Sequence, residues 1–215
     1  MEKPPMKPIS KLEAAARQLD TAIDLYFANA DSLAVYTLAY ASFKVLFDVY
    51  PHRQDDGFVA KVDEIVAAEG WKRMTRPANF LKHADRDPDA LLEAHHPEQG
   101  MSVIGLATLL YRRIAGDFTP KMRAFDYWAE EAGYEELGIE EVDRNVARVE
   151  EHRRVREALR AMPHDQKIAF AQRQYHLFLE HFERLQALVV EGKSAGRTAT
   201  EIMDKQLSGR ENATD

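Results

Sequence analysis

Between Leu33 and Tyr50 the chain carries two apolar stripes on one helical period. Leu33, Tyr36, Tyr40, Phe43, Phe47 and Tyr50 form the first; Val35, Leu38, Ser42, Leu46 and Val49 form the second. A helix that is apolar on nearly every side is stable only when other elements enclose it. This segment therefore predicts a central helix around which the rest of the chain folds. Asp31 or Ser32 is placed to cap its start, and Pro51 to end it. The aromatic run reads as core packing, with Tyr40, Phe43, Leu46 and Phe47 at its centre.

The same period recurs on either side. Leu12, Ala16, Leu19, Ile23 and Phe27 mark one helical face, and Ser10 with Glu13 has the spacing of a capping box. Further helices are predicted at residues 58–69, stopped by Gly70; at 75–84, opened by Thr75-Arg76-Pro77; at 97–115; and at 120–132, ended by Gly133. Residues 140–162 hold opposite charges one turn apart, Glu140 with Arg144 and Glu150 with Arg154. Their apolar face is thin: Val142, Val146, Val149, Val155, Leu159 and Met162. After a break at Pro163, the residues Ile168, Ala171, Tyr175, Phe178, Phe182, Leu185 and Val189 repeat at alternating spacings of three and four. The short linker predicts an antiparallel hairpin. Its seam should be covered by the 140–162 arm or by a second subunit, with His176 and His181 facing solvent. The expected fold is all-α, a helical bundle with a long C-terminal antiparallel helical hairpin. A single domain is expected over 1–191, with the hairpin at about 138–191 and a mobile polar tail at 192–215.

Composition narrows the chemistry. None of the 215 residues is cysteine, which excludes disulfides, thiolate metal sites and cysteine nucleophiles and suits a reducing compartment. The first ten residues lack the apolar run of a secretory signal, and the longest apolar stretch, 103–111, is about half what a bilayer requires. A cytoplasmic protein with no membrane partner is expected. The formal net charge of −7 disfavours a dedicated duplex-DNA binder, which needs a broad positive footprint. Glycine-rich phosphate loops and H-E-x-x-H helices are absent, and no cofactor is expected.

Arg76, Asn79 and His83 form the main candidate site. Offsets of three, four and seven place them on one helical face. A guanidinium can grip phosphate oxygens, and an imidazole titrating near neutrality can accept a proton from a ribose hydroxyl. Lys72, Arg73, Lys82 and Arg86 make the segment locally basic in an acidic chain. A second constellation, Asp85, Asp87 and Asp89, alternates like the first ligands of a calcium loop. Ala90 stands where that loop needs glycine and His96 where it needs glutamate, so the aspartates read as helix caps. A third, His83 with Asp85, His95 and His96, has the ligand types of a transition-metal site.

Arg76 and His83, with six residues between them, match the R-x4-6-H pattern of HEPN domains, which the chain resembles at this motif. That resemblance implies a compact helical bundle and a metal-independent ribonuclease that acts as a homodimer, with the arginine and histidine at the dimer cleft. A polar residue commonly follows the arginine in that family. Here Pro77 follows, and Asn79 is the nearby polar group. Residues 16–23 and 79–89 are also similar to a family of bacterial helical proteins of unassigned function, a likeness that covers about the first half of the chain and implies no activity. A non-enzymatic helical interaction protein, working through the C-terminal hairpin, is the alternative reading.

Overall fold

The computed structural model describes residues 7–83, 85–92, 97–131, 154–155 and 157–194, and no strand occurs among them. Helix α1 spans Lys11–Phe27 and α2 Ser32–Val49, the latter ending in a single 3-10 turn at Tyr50–His52. Then come α3 (Phe58–Lys82), α4 (Pro97–Ala115), α5 (Pro120–Glu131) and α6 (His164–Ser194). The expected all-α class is what the structure shows.

Both predicted caps are present. The Ser10 hydroxyl accepts from the Glu13 amide at 3.1 Å, and one Asp31 carboxylate oxygen accepts from the Leu33 and Ala34 amides. Each satisfies amides that the first helical turn leaves without an intrahelical partner. The Glu13 carboxylate accepts from Arg17 one turn on.

Helix α2 lies between α1 and α4. Val35, Tyr36, Ala39, Ser42, Phe43 and Leu46 are buried along it. Small residues let the neighbours come close. The buried Ser42 hydroxyl donates to the Ala15 carbonyl of α1 at 2.9 Å. On the other side, a Cβ placed on Gly100 of α4 would lie 3.2 Å from a Val35 methyl, a tight contact that the glycine avoids. The segment Ser32–His52 is long and apolar enough to cross a membrane by length and composition. In this structure it keeps a solvent stripe of Ala34, Thr37, Lys44 and Asp48 opposite its buried face, the pattern of a helix packed within a bundle.

An aromatic lattice joins α1, α5 and α6. Phe27 stacks on Tyr175 at 4.2 Å between ring centroids, and meets Phe125 and Trp128 edge-on. Trp128 touches Phe170, and Tyr127 lies over Phe178. These contacts cover part of the C-terminal seam from α1 and α5. Its first half, through Ala171 and Tyr175, is buried on α1 and α5. The expected first arm enters the described residues only near its end, where Leu159 is buried and Val155 and Met162 pack on the core; residues 140–153 lie outside them. His176 and His181 are exposed, as expected. Helix α6 continues through Gly192 to Ser194, past the predicted start of the tail, and residues 195–215 lie outside the described ones.

Phe43 is fully buried, whereas Phe47, on the same stripe, is only half-buried. Phe43→Ala should therefore cost about 3–5 kcal/mol, the range for emptying a packed aromatic site, and Phe47→Ala distinctly less. Chemical denaturation of the two variants checks this; equal losses would mean that α2 is not enclosed as described.

Candidate functional site

The candidate residues all lie on or at the end of α3, and α3 differs from expectation. Gly70 does not stop a first helix and Thr75-Arg76-Pro77 does not start a second: one helix runs from Phe58 to Lys82 with both breakers inside it. Mid-helix glycine and proline cost about 1 and 3 kcal/mol relative to alanine. Packing offsets that cost. Trp71 meets Phe47 edge-on at 5.2 Å and lies 5.8 Å from Phe43, and Val66 and Met74 pack on the same core. Pro77 has no amide to offer the Arg73 carbonyl, and its ring is buried. Nearby backbone is held by side chains instead. Thr75 donates its hydroxyl to the Trp71 carbonyl at 2.9 Å, and the Tyr36 hydroxyl of α2 donates to the Met74 carbonyl. Burial pushes the Tyr36 phenol far above its ordinary range, which keeps it a donor.

Continuity of α3 fixes the row. Arg76 and Asn79 are exposed, and so are Lys72 and Arg73 one turn earlier. His83 sits one residue beyond the last helical position, as the cap, and is half-buried. Its amide donates to the Asn79 carbonyl at 3.0 Å, and its own carbonyl accepts from the Arg86 amide at 2.9 Å. Arg76 and His83 are thus about 10 Å apart along the axis, at 1.5 Å per residue. The helix leaves the Arg76 and Asn79 side chains exposed, with the half-buried His83 at its end and Lys82 and Arg86 exposed nearby.

Asp85, Asp87 and Asp89 are exposed in the turns after α3. The Ala90 amide closes one of these turns on the Asp87 carbonyl at 3.0 Å. Of the third constellation, His83 and Asp85 are described and His95 and His96 are not. Among the described residues no group of three or more histidines and carboxylates is placed to hold a metal ion.

Two polar clusters that the sequence reading did not foresee tie the helices together. In the first, Arg113 of α4 donates to the Tyr50 hydroxyl and to Asp56, each at 2.8 Å, while its guanidinium lies 4.1 Å over the Phe58 ring. Tyr50 also donates to Asp56 at 2.8 Å, whose other oxygen accepts from the Phe58 amide at 3.0 Å. Between them Gly57 turns the chain at φ +68, a conformation that favours glycine. In the second cluster, Thr119 donates to Asp20 at 2.5 Å, Lys121 pairs with Asp24, and Tyr175 of α6 donates to Asp24 at 2.6 Å. Burial raises the Asp20 carboxyl above its ordinary range, although the Thr119 bond and Lys121 pull it back. Burial and then the bond to Asp24 push the Tyr175 phenol far upward. The partners are up to 151 residues apart, so no spacing rule could have found them.

Compared with known proteins, the chain matches no family model, no curated protein and no solved structure. The reading of α3 therefore rests on its own chemistry and on the motif resemblance.

The first cluster predicts a pH dependence. Hydrogen bonds from Arg113, then Tyr50, then the Phe58 amide hold the Asp56 carboxyl at about 2, below its ordinary 3.8. A depressed carboxyl favours the folded state above its unfolded value, and that contribution is lost as pH falls through the folded value. Stability should therefore fall between about pH 4 and pH 2. Asp56→Asn should flatten this part of the profile in denaturation midpoints measured across that window; an unchanged slope would show that the cluster is not formed in solution.

Proposed function

We propose that the protein is an RNA-binding helical module that cleaves RNA without a metal ion, using Arg76 and His83 on α3. The observation that carries this is the row itself. Arg76 and Asn79 lie exposed on the last turns of α3 and the half-buried His83 caps it, among the exposed cations Lys72, Arg73, Lys82 and Arg86. The resemblance to HEPN domains at the same two residues supports it and implies that a second copy supplies the facing wall of the cleft.

RNA carries its own nucleophile, so few protein groups are needed. The His83 imidazole accepts the ribose 2′-hydroxyl proton as that oxygen attacks phosphorus. The Arg76 guanidinium stabilises the charge gathering on the phosphoryl oxygens. The bond from phosphorus to the 5′-oxygen breaks, and the leaving oxygen takes a proton from water, leaving a 2′,3′-cyclic phosphate and a 5′-hydroxyl, while His83 returns its proton to solvent. Asn79, one turn before His83, is the positioning group. One feature opposes the arrangement: the end of α3 nearest His83 is the negative end of the helix dipole, which repels phosphate. Lys82 and Arg86 supply the compensating charge.

A second reading has its own observation. Helix α6 leaves Leu177 (52%) and Val190 (66%) in solvent; thirteen residues apart, they are separate apolar points on the helix and not a continuous patch. In that reading the molecule is a non-enzymatic interaction protein.

With purified protein, His83→Ala should lower cleavage of RNA by about 10²- to 10⁴-fold, the usual weight of a general base, at an unchanged unfolding midpoint. Arg76→Ala should weaken cleavage severely, a chelator should have no effect, and DNA should resist. Cleavage that survives His83→Ala refutes this site. Wild-type protein inert on varied RNAs leaves the interaction reading standing.

A further inference from the structure

The core holds α3 along one side and lets go before the end of the helix. Val66, Trp71 and Met74 pack on it in turn, and neither Phe80 nor Leu81 joins it. At Met74 the hold is also polar. The buried Tyr36 of α2 donates its hydroxyl to the Met74 carbonyl. Its ring is stacked on Tyr40, 6.0 Å between centroids, which fixes the direction from which the hydroxyl arrives. Pro77 follows, inside the helix and without an amide. A proline crowds the carbonyl four residues back, and helices bend where they pass through one. Arg76 stands just before this point, and His83 caps the helix beyond it.

From this placement we infer that Tyr36 is a positioning residue: its hold on the Met74 carbonyl sets the course of α3 through Pro77, and with it the distance between Arg76 and His83. The inference rests on the RNA reading of those two residues and adds what governs their spacing. His83 lies about 9 Å past Pro77 at 1.5 Å per residue. A change of about 20° at the proline, the scale of a kink, carries His83 about 3 Å sideways. Misplacing a reacting group by about 1 Å can cost a rate factor of about 10². Apolar packing leaves such an angle loosely set, because it tolerates small slides. A hydrogen bond sets it closely, because it weakens steeply once bent.

Tyr36→Phe keeps the ring and removes the bond. Amide hydrogen exchange, read by NMR, reports on the latch whether or not the protein is active. The amides of residues 78–83 should exchange about 2- to 10-fold faster in the variant, the weight of one hydrogen bond, over and above any change shared by α1 and α4. Tyr40→Phe takes a hydroxyl from the stacked ring and leaves the Met74 bond in place, so it should not move them. In a Pro77→Ala background the new amide can serve the Arg73 carbonyl. There the helix continues without the latch, and Tyr36→Phe should change the same amides less than about twofold. On RNA, Tyr36→Phe should lower the cleavage rate per site by about 10- to 100-fold. Sites are counted by titration with 2′-O-methyl RNA, which has no free 2′-hydroxyl to attack. A merely structural role would lower the number of binding sites and leave the rate per site alone. Unchanged exchange at residues 78–83 in Tyr36→Phe overturns the latch, whether or not RNA is cleaved. Faster exchange with an undiminished rate per site overturns the positioning role and leaves the RNA reading intact. Wild-type protein inert on RNA overturns that reading and the positioning role with it, while exchange still decides the latch.

Discussion

Helix α2 must be enclosed, and that requirement organises the bundle. Its apolar surface extends around most of its circumference, so α1 and α4 have to press on it from two sides while α3 covers part of the remainder. Close approach needs small side chains at the crossings, which Ser42 and Ala15 provide between α2 and α1, and Gly100 between α2 and α4. The Ser42 hydroxyl pays for its own burial by donating to a helix carbonyl. With three helices locked in this way, the start of α3 and the far ends of α1 and α4 are no longer free variables, and the peripheral elements dock onto a fixed frame.

Polar contacts then decide how that docking is oriented. Dispersion and hydrophobic burial hold the aromatic lattice together but tolerate small slides. A charge-assisted hydrogen bond does not. Asp24 accepts from α5 through Lys121 and from α6 through Tyr175, so one carboxylate sets the position of two helices on α1. Arg113 does the same at the other end, fastening α4 to the turn that launches α3. The exposed row of α3 is thereby held from its first turn by one cluster and from its middle by Trp71 against Phe43 and Phe47.

Much of this was legible in the sequence, and the parts that were not share a cause. Three-four spacing finds helices because periodicity is a local property; Ser10 and Asp31 were found as caps because a cap acts within three residues. The split of α3 at Gly70 and Pro77 was misread because both residues do weaken a helix locally, while the contacts that outweigh them come from α2, a distant part of the chain. At the candidate site, spacing sufficed to set Arg76 and Asn79 together on an exposed face. Whether that face is walled is a tertiary matter, and no spacing encodes it.

The bond between Tyr175 and Asp24 closes an interval of 151 residues, and this shapes how the chain folds as it is made. Phe27 is synthesised well before Tyr175, yet one of its faces is completed only when Tyr175 stacks upon it. At translation rates of about 5–20 residues per second, that interval takes on the order of ten seconds. Through that period the nascent domain carries an uncovered aromatic plate, a surface that invites chaperones and other growing chains. Docking of α6 is what covers that plate, and a truncation before Tyr175 would leave it open.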